Sequence, residues 1–220
     1  IRIYVYTSNP IRRKEAPMPR TWIVLAIVYA AFFSWYTSFE GPFTPEEVET
    51  LLEQIAEHSP DEDLTAIRRF LESDTGDDFV MVNLIDSPAK PKPIPGVSPD
   101  ATTAEVAARY MEHMWPELLK RACHPVMMGG ATAPAMDIWG IEGAEDWTSV
   151  GLMRYRSRRD LIEIAANPAF QGPHEFKIAS MTKTIAFPID PWYQLGDPRF
   201  VLALVFVAIG ALVGRRKPPS

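Results

Sequence analysis

Two long uncharged runs dominate the pattern of hydrophobic and polar positions. The first covers residues 22–39, eighteen residues without charge or proline. As a helix it would extend about 27 Å, close to the hydrocarbon thickness of a bilayer. The second covers residues 200–214, which is shorter, and Arg199 and Arg215 flank it. The pattern therefore predicts one transmembrane helix near each end of the chain, with a buried core helix as the alternative for the second run.

Both runs carry small residues four positions apart. Ala26, Ala30 and Ser34 recur in the first run, and Gly210 and Gly214 form a G-x-x-x-G pair in the second. Short side chains allow a second helix to approach closely. We expect these faces to pack against other membrane-protein subunits, with lipid-facing alanine as the alternative. A cleaved signal peptide is a further alternative for the first run, but no clear A-x-A cleavage site follows it.

The charges divide the chain into basic ends and an acidic middle. Five basic residues and one acidic residue lie in 1–20, and three basic residues lie in 215–217. Residues 40–199 hold 14 basic and 27 acidic side chains, and the net charge of the whole chain is −6. The positive-inside rule predicts cytoplasmic termini in a bacterial inner membrane and a periplasmic segment 40–199, with the basic tails facing lipid. An acidic middle repels phosphates, which excludes nucleic acid as a partner.

The middle begins with two short amphipathic helices. Residues 44–57 open with Thr44 and Glu47 at capping-box spacing, and residues 61–73 repeat the apolar face. Residues 79–85 are almost continuously apolar and predict a buried strand, and the five prolines of 87–99 predict an arm without helix or strand.

The remaining pattern alternates helices and strands. Thr102 and Glu105 cap a helix that extends to about residue 121. Short strands follow at 126–128 and 136–139, a longer one at 147–154, a helix at 157–166 and a last strand at 183–189. This order predicts an α+β, ferredoxin-like βαββαβ domain flanked by two transmembrane helices.

The predicted domain boundaries follow from these segments. Residues 1–20 are a basic cytoplasmic tail, 21–39 the first transmembrane helix and 40–78 a helical collar. Residues 79–190 are the ferredoxin-like domain with its proline-rich arm at 87–99. Residues 191–214 are an interfacial segment with the second transmembrane helix, and 215–220 are a second basic tail.

Several local motifs carry a family resemblance. They are the MVNL strand at 81–84, Trp147 at the start of a strand, and the run RYRSRRDLIEIAANPAFQ at 154–171, with Tyr155, Ser157, Asn167–Pro168 and Phe170. About half of the chain resembles the dimeric α/β-barrel superfamily and, within it, the uncharacterised domain-of-unknown-function 1330 family. The resemblance implies a sheet that pairs with a second copy. The superfamily includes cofactor-free monooxygenases, muconolactone isomerases, haem enzymes and members without a known reaction.

The resemblance also implies a pocket between the sheet and the helices. The side chains that would line it are Asn83, Tyr110, Trp139, Trp147, Met153 and Tyr155. Asn83 is either the polar anchor of this pocket or a satisfied core amide. The sequence offers no nucleophile–base pair and no paired acids, so we assign no catalytic residue and do not expect an enzyme.

A cluster of soft ligands is the remaining candidate for chemistry. Met111, Met114, His124, Met127 and Met128 combine sulfur and imidazole, which suits Cu(I). The alternative is that these methionines fill the core, and we predict no cofactor. Cys123 is the only cysteine, so an internal disulfide is excluded. Four arginines at 154, 156, 158 and 159 are expected to form a solvated face, with contact to a partner or to lipid as the alternative.

These observations predict a non-catalytic accessory subunit of a larger bacterial membrane-protein complex. The expected partners are other membrane subunits, the lipid bilayer and a second copy bound through the sheet. One alternative is a membrane-tethered small-molecule-binding protein or monooxygenase-like enzyme that uses the predicted pocket. A second alternative is a periplasmic copper-handling protein.

Overall fold

The computed structural model describes residues 20–58, 63–167 and 171–215. Within these ranges the chain forms seven helices and four strands. The helices are α1 (Arg20–Tyr36), α2 (Pro45–His58), α3 (Leu64–Glu72), α4 (Thr103–Lys120), α5 (Arg158–Ala165), α6 (Gln171–Ala179) and α7 (Pro198–Arg215). The strands are β1 (Phe79–Asp86), β2 (His124–Gly130), β3 (Ser149–Tyr155) and β4 (Lys183–Ile189).

The four strands form one sheet in the order β2-β3-β1-β4, with every neighbouring pair antiparallel. Alternate residues of a strand point to opposite faces of the sheet, so the register assigns each side chain to a face. Phe79 pairs with Tyr155 on the face that the helices cover, and Val80 pairs with Arg154 and Ile189 on the other face. This strand order is that of the split β-α-β motif, and it agrees with the α+β part of the predicted fold class.

The main core lies between the sheet and helices α4 and α5. Phe79 and Tyr155 stack at a ring-centroid distance of 5.4 Å, and Met114, Leu118 and Ile164 complete the cluster from the helices. A smaller cluster of Val48, Leu52 and Leu71 joins α2 to α3. Burial of these apolar side chains is the main term that stabilises the fold.

Helix starts follow the local sequence closely. Thr44 and Glu47 exchange both hydrogen bonds of a capping box before α2, at 2.7 and 3.3 Å. Thr102 and Glu105 form the same motif before α4, which continues through Pro116. The loop at 136–139, in contrast, contains no strand, and Trp139 is exposed to solvent there.

Helices α1 and α7 pair as an antiparallel hairpin, although they lie at opposite ends of the chain. Tyr29 of α1 contacts the Phe206 ring edge-on at 6.4 Å, and its hydroxyl donates to the Arg199 carbonyl at 3.2 Å. Trp22 lies against Gly210 near the other end of the pair. We call this pair the α1–α7 hairpin.

The prediction of two transmembrane helices is wrong. In the described part of the chain, no helix is both long and apolar enough to cross a membrane. Helix α1 has 17 residues because it ends at Tyr36, three residues before the apolar run does. Helix α7 includes Pro198 and Arg199 in its first turn. The fold class with two membrane spans, the membrane keywords and the placement in a bacterial inner membrane with a periplasmic domain are therefore also wrong.

Some sequence predictions fall outside the described residues. Most of the two basic tails, 1–20 and 215–220, lies there, as do Pro168 and Phe170 of the family motif. The domain boundaries at 40–78, 79–190 and 191–214 stay predictions.

Candidate functional site

The outer surface of the α1–α7 hairpin is the most unusual feature of the molecule. Large apolar side chains on both helices expose between two-fifths and two-thirds of their area to solvent. Those of α1 are Ile23, Val24, Ile27, Val28 and Trp35, and those of α7 are Phe200, Val201, Leu204, Val205, Val207, Ile209, Leu212 and Val213. Exposed apolar patches of this extent mark interaction sites in proteins.

The predicted small-residue positions divide between the two sides of the hairpin. Ala26, Ala30 and Ser34 are exposed on α1. Gly210 is buried, and a Cβ atom placed on it would lie 2.5 Å from the Trp22 ring. Gly214 lies in the last turn of α7. Thus Gly210 packs within the hairpin, while the alanine stripe of α1 stays open.

Arg154 joins the hairpin to the sheet. Its side chain is 1% exposed, and its guanidinium lies 3.7 Å from the centre of the Tyr36 ring. It donates to the Asp78 carboxylate at 2.7 Å, and to the carbonyls of Ala122 and Tyr36 at 2.9 Å each. Because arginine presents a planar fork of donors, one side chain joins the residues just before β1 and β2 to the end of α1.

Arg199 extends this network to the first turn of α7. It pairs with Asp197 at 2.6 Å and with Asp78 at 3.1 Å, and its guanidinium lies 5.5 Å from the Tyr36 ring. The Arg199 guanidinium lowers the pKa of the Asp197 carboxyl against the opposing effect of burial. Arg154, Arg199, Asp78 and Asp197 therefore form a network of two positive and two negative charges where the hairpin meets the sheet. We call this network the junction.

Tyr36, which is buried, and His124, which is half-buried, form a hydrogen-bonded pair beside Arg154. The Pro125 carbonyl can only accept, so Nδ1 of His124 donates to it at 3.0 Å. In the neutral imidazole Nε2 then accepts the Tyr36 hydroxyl proton at 2.6 Å. Burial raises the pKa of Tyr36 to about 12, the nearby Arg154 charge opposing it. The Tyr36–His124 hydrogen bond thereby joins the end of α1 to β2.

The other arginines of the 154–159 run also bind the carbonyl oxygens of distant segments. Arg156 donates to the Trp35 carbonyl at 3.3 Å and pairs with Asp160 at 2.7 Å. Arg158 donates to the Phe70 carbonyl at the end of α3. Arg159 donates to the Pro42 carbonyl at 3.1 Å and to Glu47. Cationic donors suit the carbonyls that a helix leaves unpaired at its C-terminus.

Two neighbouring cavities lie beside the segment between β4 and α7. The first, of about 740 Å³, has an apolar floor on the face of the sheet opposite the helices. The second, of about 450 Å³, is lined largely by polar and charged groups. Both share a wall formed by Asp190, Pro191, Trp192, Tyr193 and Gln194. A third cavity of about 460 Å³ lies between α2 and α5.

The six residues of the predicted pocket do not line any of these three cavities. Tyr110, Met153 and Tyr155 pack into the main core, where burial raises the pKa of both tyrosines. The Asn83 side-chain amide donates to the carbonyls of Met81 and Gly151 at 3.2 Å each, which is the satisfied-amide alternative. Trp139 is exposed, and the Trp147 indole donates to the Ala144 carbonyl at 2.9 Å.

The predicted copper ligands lie in different surroundings. Met111 and Met114 pack into the core from α4, His124 binds Tyr36, and Met127 and Met128 are exposed on β2. Within the described residues, no three or more His, Cys, Asp or Glu side chains are grouped as a metal site requires. The geometry thus favours the core-filling alternative for Met111 and Met114.

Cys123 is expected to be unreactive in the folded protein. Its side chain is fully buried, and burial raises the pKa of its thiol to about 11. Because the thiolate is the nucleophile, iodoacetamide at pH 8 should leave the native protein unmodified and label it after denaturation with urea. Mass spectrometry of the intact chain checks this, and rapid labelling of the native chain would contradict it.

The same pKa shift predicts a pH dependence of stability. An unfolded chain loses the Cys123 proton near the ordinary value of 9.0, whereas the folded chain retains it up to about pH 11. Between these values the unfolded state binds fewer protons, so this contribution to stability is complete below pH 9 and lost as the pH rises to about 11. Cys123→Ala should remove that part of the pH dependence in urea denaturation.

No protein-family model and no curated protein matches the sequence. The chain is similar to the crystal structure of methylated RPA0582 protein, with 19% identity over 62% of this chain and 96% of that chain, at a TM-score of 0.50. A further RPA0582 structure, a protein of unknown function from Rhodopseudomonas palustris, has 19% identity over 60% of this chain and 96% of that chain, at a TM-score of 0.48. At3g17210 from Arabidopsis thaliana has 16% identity over 52% of this chain and 96% of that chain, at a TM-score of 0.32. At this identity the match at 0.50 shows a shared fold alone.

Sequence reasoning missed the side chains that form the junction and the wall shared by two of the cavities. Asp78 and Asp197 appear in the sequence only as two of many acidic residues, and Trp192 and Tyr193 as an aromatic pair before an apolar run. The sequence did contain one signal. Charged residues lie directly after the first apolar run, at Glu40, and directly before the second, at Asp197 and Arg199.

Proposed function

We propose that this chain is a non-catalytic subunit of a larger protein assembly, in which apolar helices of partner subunits enclose the α1–α7 hairpin. The observation that carries the proposal is the row of exposed apolar side chains on both helices, without a charged residue from Trp22 to Phe39 or from Phe200 to Val213. A helix that is apolar on all sides is ordinarily buried within a larger structure.

The distribution of exposed residues favours several partner helices over one. In α7 the exposed positions include Phe200, Val201, Val205 and Val207, which lie on different sides of a helix with 3.6 residues per turn. The side of α7 that faces α1 includes Phe206 and Gly210. One flat partner surface would leave much of this apolar area in water, whereas an enclosing partner covers it.

The stripe of Ala26, Ala30 and Ser34 adds a place for close contact. All three are exposed on α1, and their short side chains allow a partner helix to approach at a small interaxial distance. The arginine network supports the same role mechanically, because Arg154 and Arg199 fix the base of the hairpin to the sheet. A partner that holds the hairpin in one orientation therefore also fixes the orientation of the α+β part of the chain.

The functional groups near the junction support a role without catalysis. The Cys123 thiol is buried, and the Tyr36 hydroxyl is bound to His124. A general acid or base must reach the proton that it transfers, and a buried group already bound to protein does not.

Native size-exclusion chromatography of the full-length chain, gently released from its source cells, tests this proposal. The wild-type chain should elute in an assembly larger than one or two copies of itself. Ile27→Glu combined with Val205→Glu places charges on the outer hairpin surface and should release the chain, because a buried unpaired carboxylate is costly. Leu119→Glu combined with Ile178→Glu is the matched control, since both residues are comparably exposed outside the hairpin.

Two outcomes contradict the proposal. One is a wild-type chain that elutes alone as a monomer or dimer. The other is a hairpin variant that stays in the assembly as well as the control does. Far-UV circular dichroism of both variants verifies that the substitutions leave the helices intact.

A second copy bound through the sheet is a separate proposal that the family resemblance supports. Met127, Leu152, Val82 and Phe187 form one apolar row across all four strands on the open face. Met127 and Phe187, at its two ends, are exposed. The number of copies per assembly, measured by native mass spectrometry in the same experiment, tests this pairing: two copies support it and one copy contradicts it.

A further inference from the structure

The loop between β2 and β3, residues 131–148, is long and contains neither helix nor strand. Loops longer than about 12–15 residues are uncommon in compact domains and usually have a function. Backbone hydrogen bonds fix the base of this one. The Ala131 amide donates to the Thr148 carbonyl at 2.9 Å, and the Ala135 amide donates to the Glu145 carbonyl at 2.8 Å. The two limbs of the loop therefore lie side by side.

Side chains fix the loop to the edge of the sheet as well. The Trp147 indole donates to the Ala144 carbonyl at 2.9 Å, and Ala144 is buried. Lys183, the first residue of β4, lies 4.9 Å from the centre of the Trp147 ring and donates to the Gly143 carbonyl. A loop fixed in this way loses little conformational entropy when it binds a partner.

The part of the loop beyond these contacts, residues 136–142, presents large apolar side chains to water. We call it the loop tip. Met136 is 97% exposed, Trp139 is 96% exposed and Ile141 is 56% exposed. Tryptophan is enriched among the few residues that carry most of the binding energy of protein interfaces, where it fills a pocket of the partner. The loop tip therefore has the form of an anchor for a protein surface.

The charge of the loop indicates the chemistry of that surface. Asp137, Glu142, Glu145 and Asp146 are exposed, and the loop contains no lysine, arginine or histidine. Lys183 offsets only one of these four charges. Carboxylates around an apolar anchor attract a basic rim and are repelled by phosphate groups. The loop is thus complementary to an apolar pocket edged by lysine or arginine.

A second copy of this chain does not supply such a pocket in any of the three cavities described above. The cavity on the open face of the sheet has no basic residue in its lining. Each of the other two has four carboxylates and one arginine in its lining. The complementary surface belongs to a different protein.

The loop lies at the opposite end of the sheet from the α1–α7 hairpin. Gly130 pairs with Ser149 at the loop end of β3, whereas His124 pairs with Arg154 at the hairpin end. At about 3.3 Å per residue, β3 separates these ends by about 20 Å. A partner that encloses the hairpin therefore leaves the loop tip open to a second contact.

We propose that the loop tip is a second interface of this chain, separate from the hairpin. Trp139 and Met136 enter an apolar pocket of a different protein, and Asp137 and Glu142 pair with lysine or arginine at the rim of that pocket. This interface goes beyond the function proposed above, because no contact of the hairpin takes part in it.

Photo-crosslinking in intact source cells tests the proposal with the full-length chain. Met136→p-benzoylphenylalanine places the crosslinker at the loop tip, and mass spectrometry identifies the peptide to which it becomes joined. We expect a peptide of a different protein. Leu119→p-benzoylphenylalanine is the control, because Leu119 is exposed on α4. It should not give this product.

Two further changes, each made together with the crosslinker at position 136, test the chemistry of the pocket. Asp137→Lys combined with Glu142→Lys should lower the yield of the product about tenfold, because attraction to the basic rim becomes repulsion. Glu53→Lys combined with Asp100→Lys reverses two exposed acidic residues elsewhere and should leave the yield unchanged.

Trp139→Ala removes the anchor and should lower the yield about thirtyfold, as the loss of a dominant interface residue does. Because Trp139 is exposed, the substitution leaves the core in place, which circular dichroism verifies.

Four results would each overturn the proposal. They are the absence of a product at position 136, a product with a second copy of this chain, a yield unchanged by Asp137→Lys with Glu142→Lys, and a yield unchanged by Trp139→Ala. Irradiation precedes the release of the chain from the cells. A wild-type chain that later elutes alone therefore contradicts the function proposed for the hairpin and leaves the product of the loop tip in place.

Discussion

Arg154→Ala should lower the free energy of unfolding by about 3–5 kcal/mol, the usual cost of breaking a buried ion pair from one side. The substitution removes one of the two arginine partners of Asp78, the other being Arg199, and leaves the carbonyls of Tyr36 and Ala122 without this buried donor. It also removes the cation above the Tyr36 ring. Urea denaturation followed by circular dichroism measures the effect.

Two further variants separate the geometry of Arg154 from its charge. Arg154→Lys keeps the charge, but a single ammonium group on a shorter, flexible stem does not reproduce the planar fork that serves three acceptors. We expect it to recover only a minor part of the lost stability. Arg109→Ala removes an exposed arginine of α4 and should change stability by less than about 0.5 kcal/mol. An Arg154→Ala loss as small as that of Arg109→Ala would contradict the role given to Arg154.

Gly210→Ala should loosen the α1–α7 hairpin. The added Cβ atom would lie 2.5 Å from two carbon atoms of the Trp22 ring, so the ring or the helix must move. Overpacking of this kind costs about 1–3 kcal/mol. Hydrogen exchange of the backbone amides of α1 and α7 measures the local effect, which we expect as faster exchange near Trp22.

A double-mutant cycle tests whether the clash with Trp22 is the cause. Trp22→Ala creates room for the new methyl group, so Gly210→Ala should cost much less in that background than in the wild-type chain. Gly129→Ala is a suitable control, because the nearest atom to its added Cβ lies 3.9 Å away on Val150. Equal effects of Gly210→Ala in both backgrounds would show that Trp22 is not the obstacle.

The arginine run at 154–159 illustrates why part of the site was hidden in the sequence. A cluster of four arginines in a short stretch predicts a solvated face, yet Arg154 and Arg158 are buried. Their partners are far away along the chain: the Tyr36 carbonyl is 118 residues from Arg154, and the Phe70 carbonyl is 88 residues from Arg158. Every residue carries a backbone carbonyl, so the amino-acid sequence does not indicate which carbonyls will accept a hydrogen bond from an arginine.

The two apolar runs show what hydropathy alone can predict. It located both helices, but it did not predict the residues at which they end or the faces that they bury. Helix α1 ends at Tyr36, where the Arg154 and Arg156 guanidinium groups donate to the carbonyls of Tyr36 and Trp35 that the helix leaves unpaired. The pairing of α1 with α7, and with it the covered position of Gly210 and the exposed positions of Ala26 and Ala30, depends on contacts between the two ends of the chain.

The sequence by itself determined those features that depend only on interactions between residues close together in the chain. Capping at Thr44 and Thr102, the apolar strand β1 and the alternation of helices with strands in the middle of the chain follow from neighbouring residues. Tertiary structure alone decided which charges are buried, which aromatic rings line a cavity and which apolar faces remain uncovered. Those properties depend on the approach of residues that are distant in sequence, and the free energy of burying a charge or a ring is set by the groups that surround it after folding.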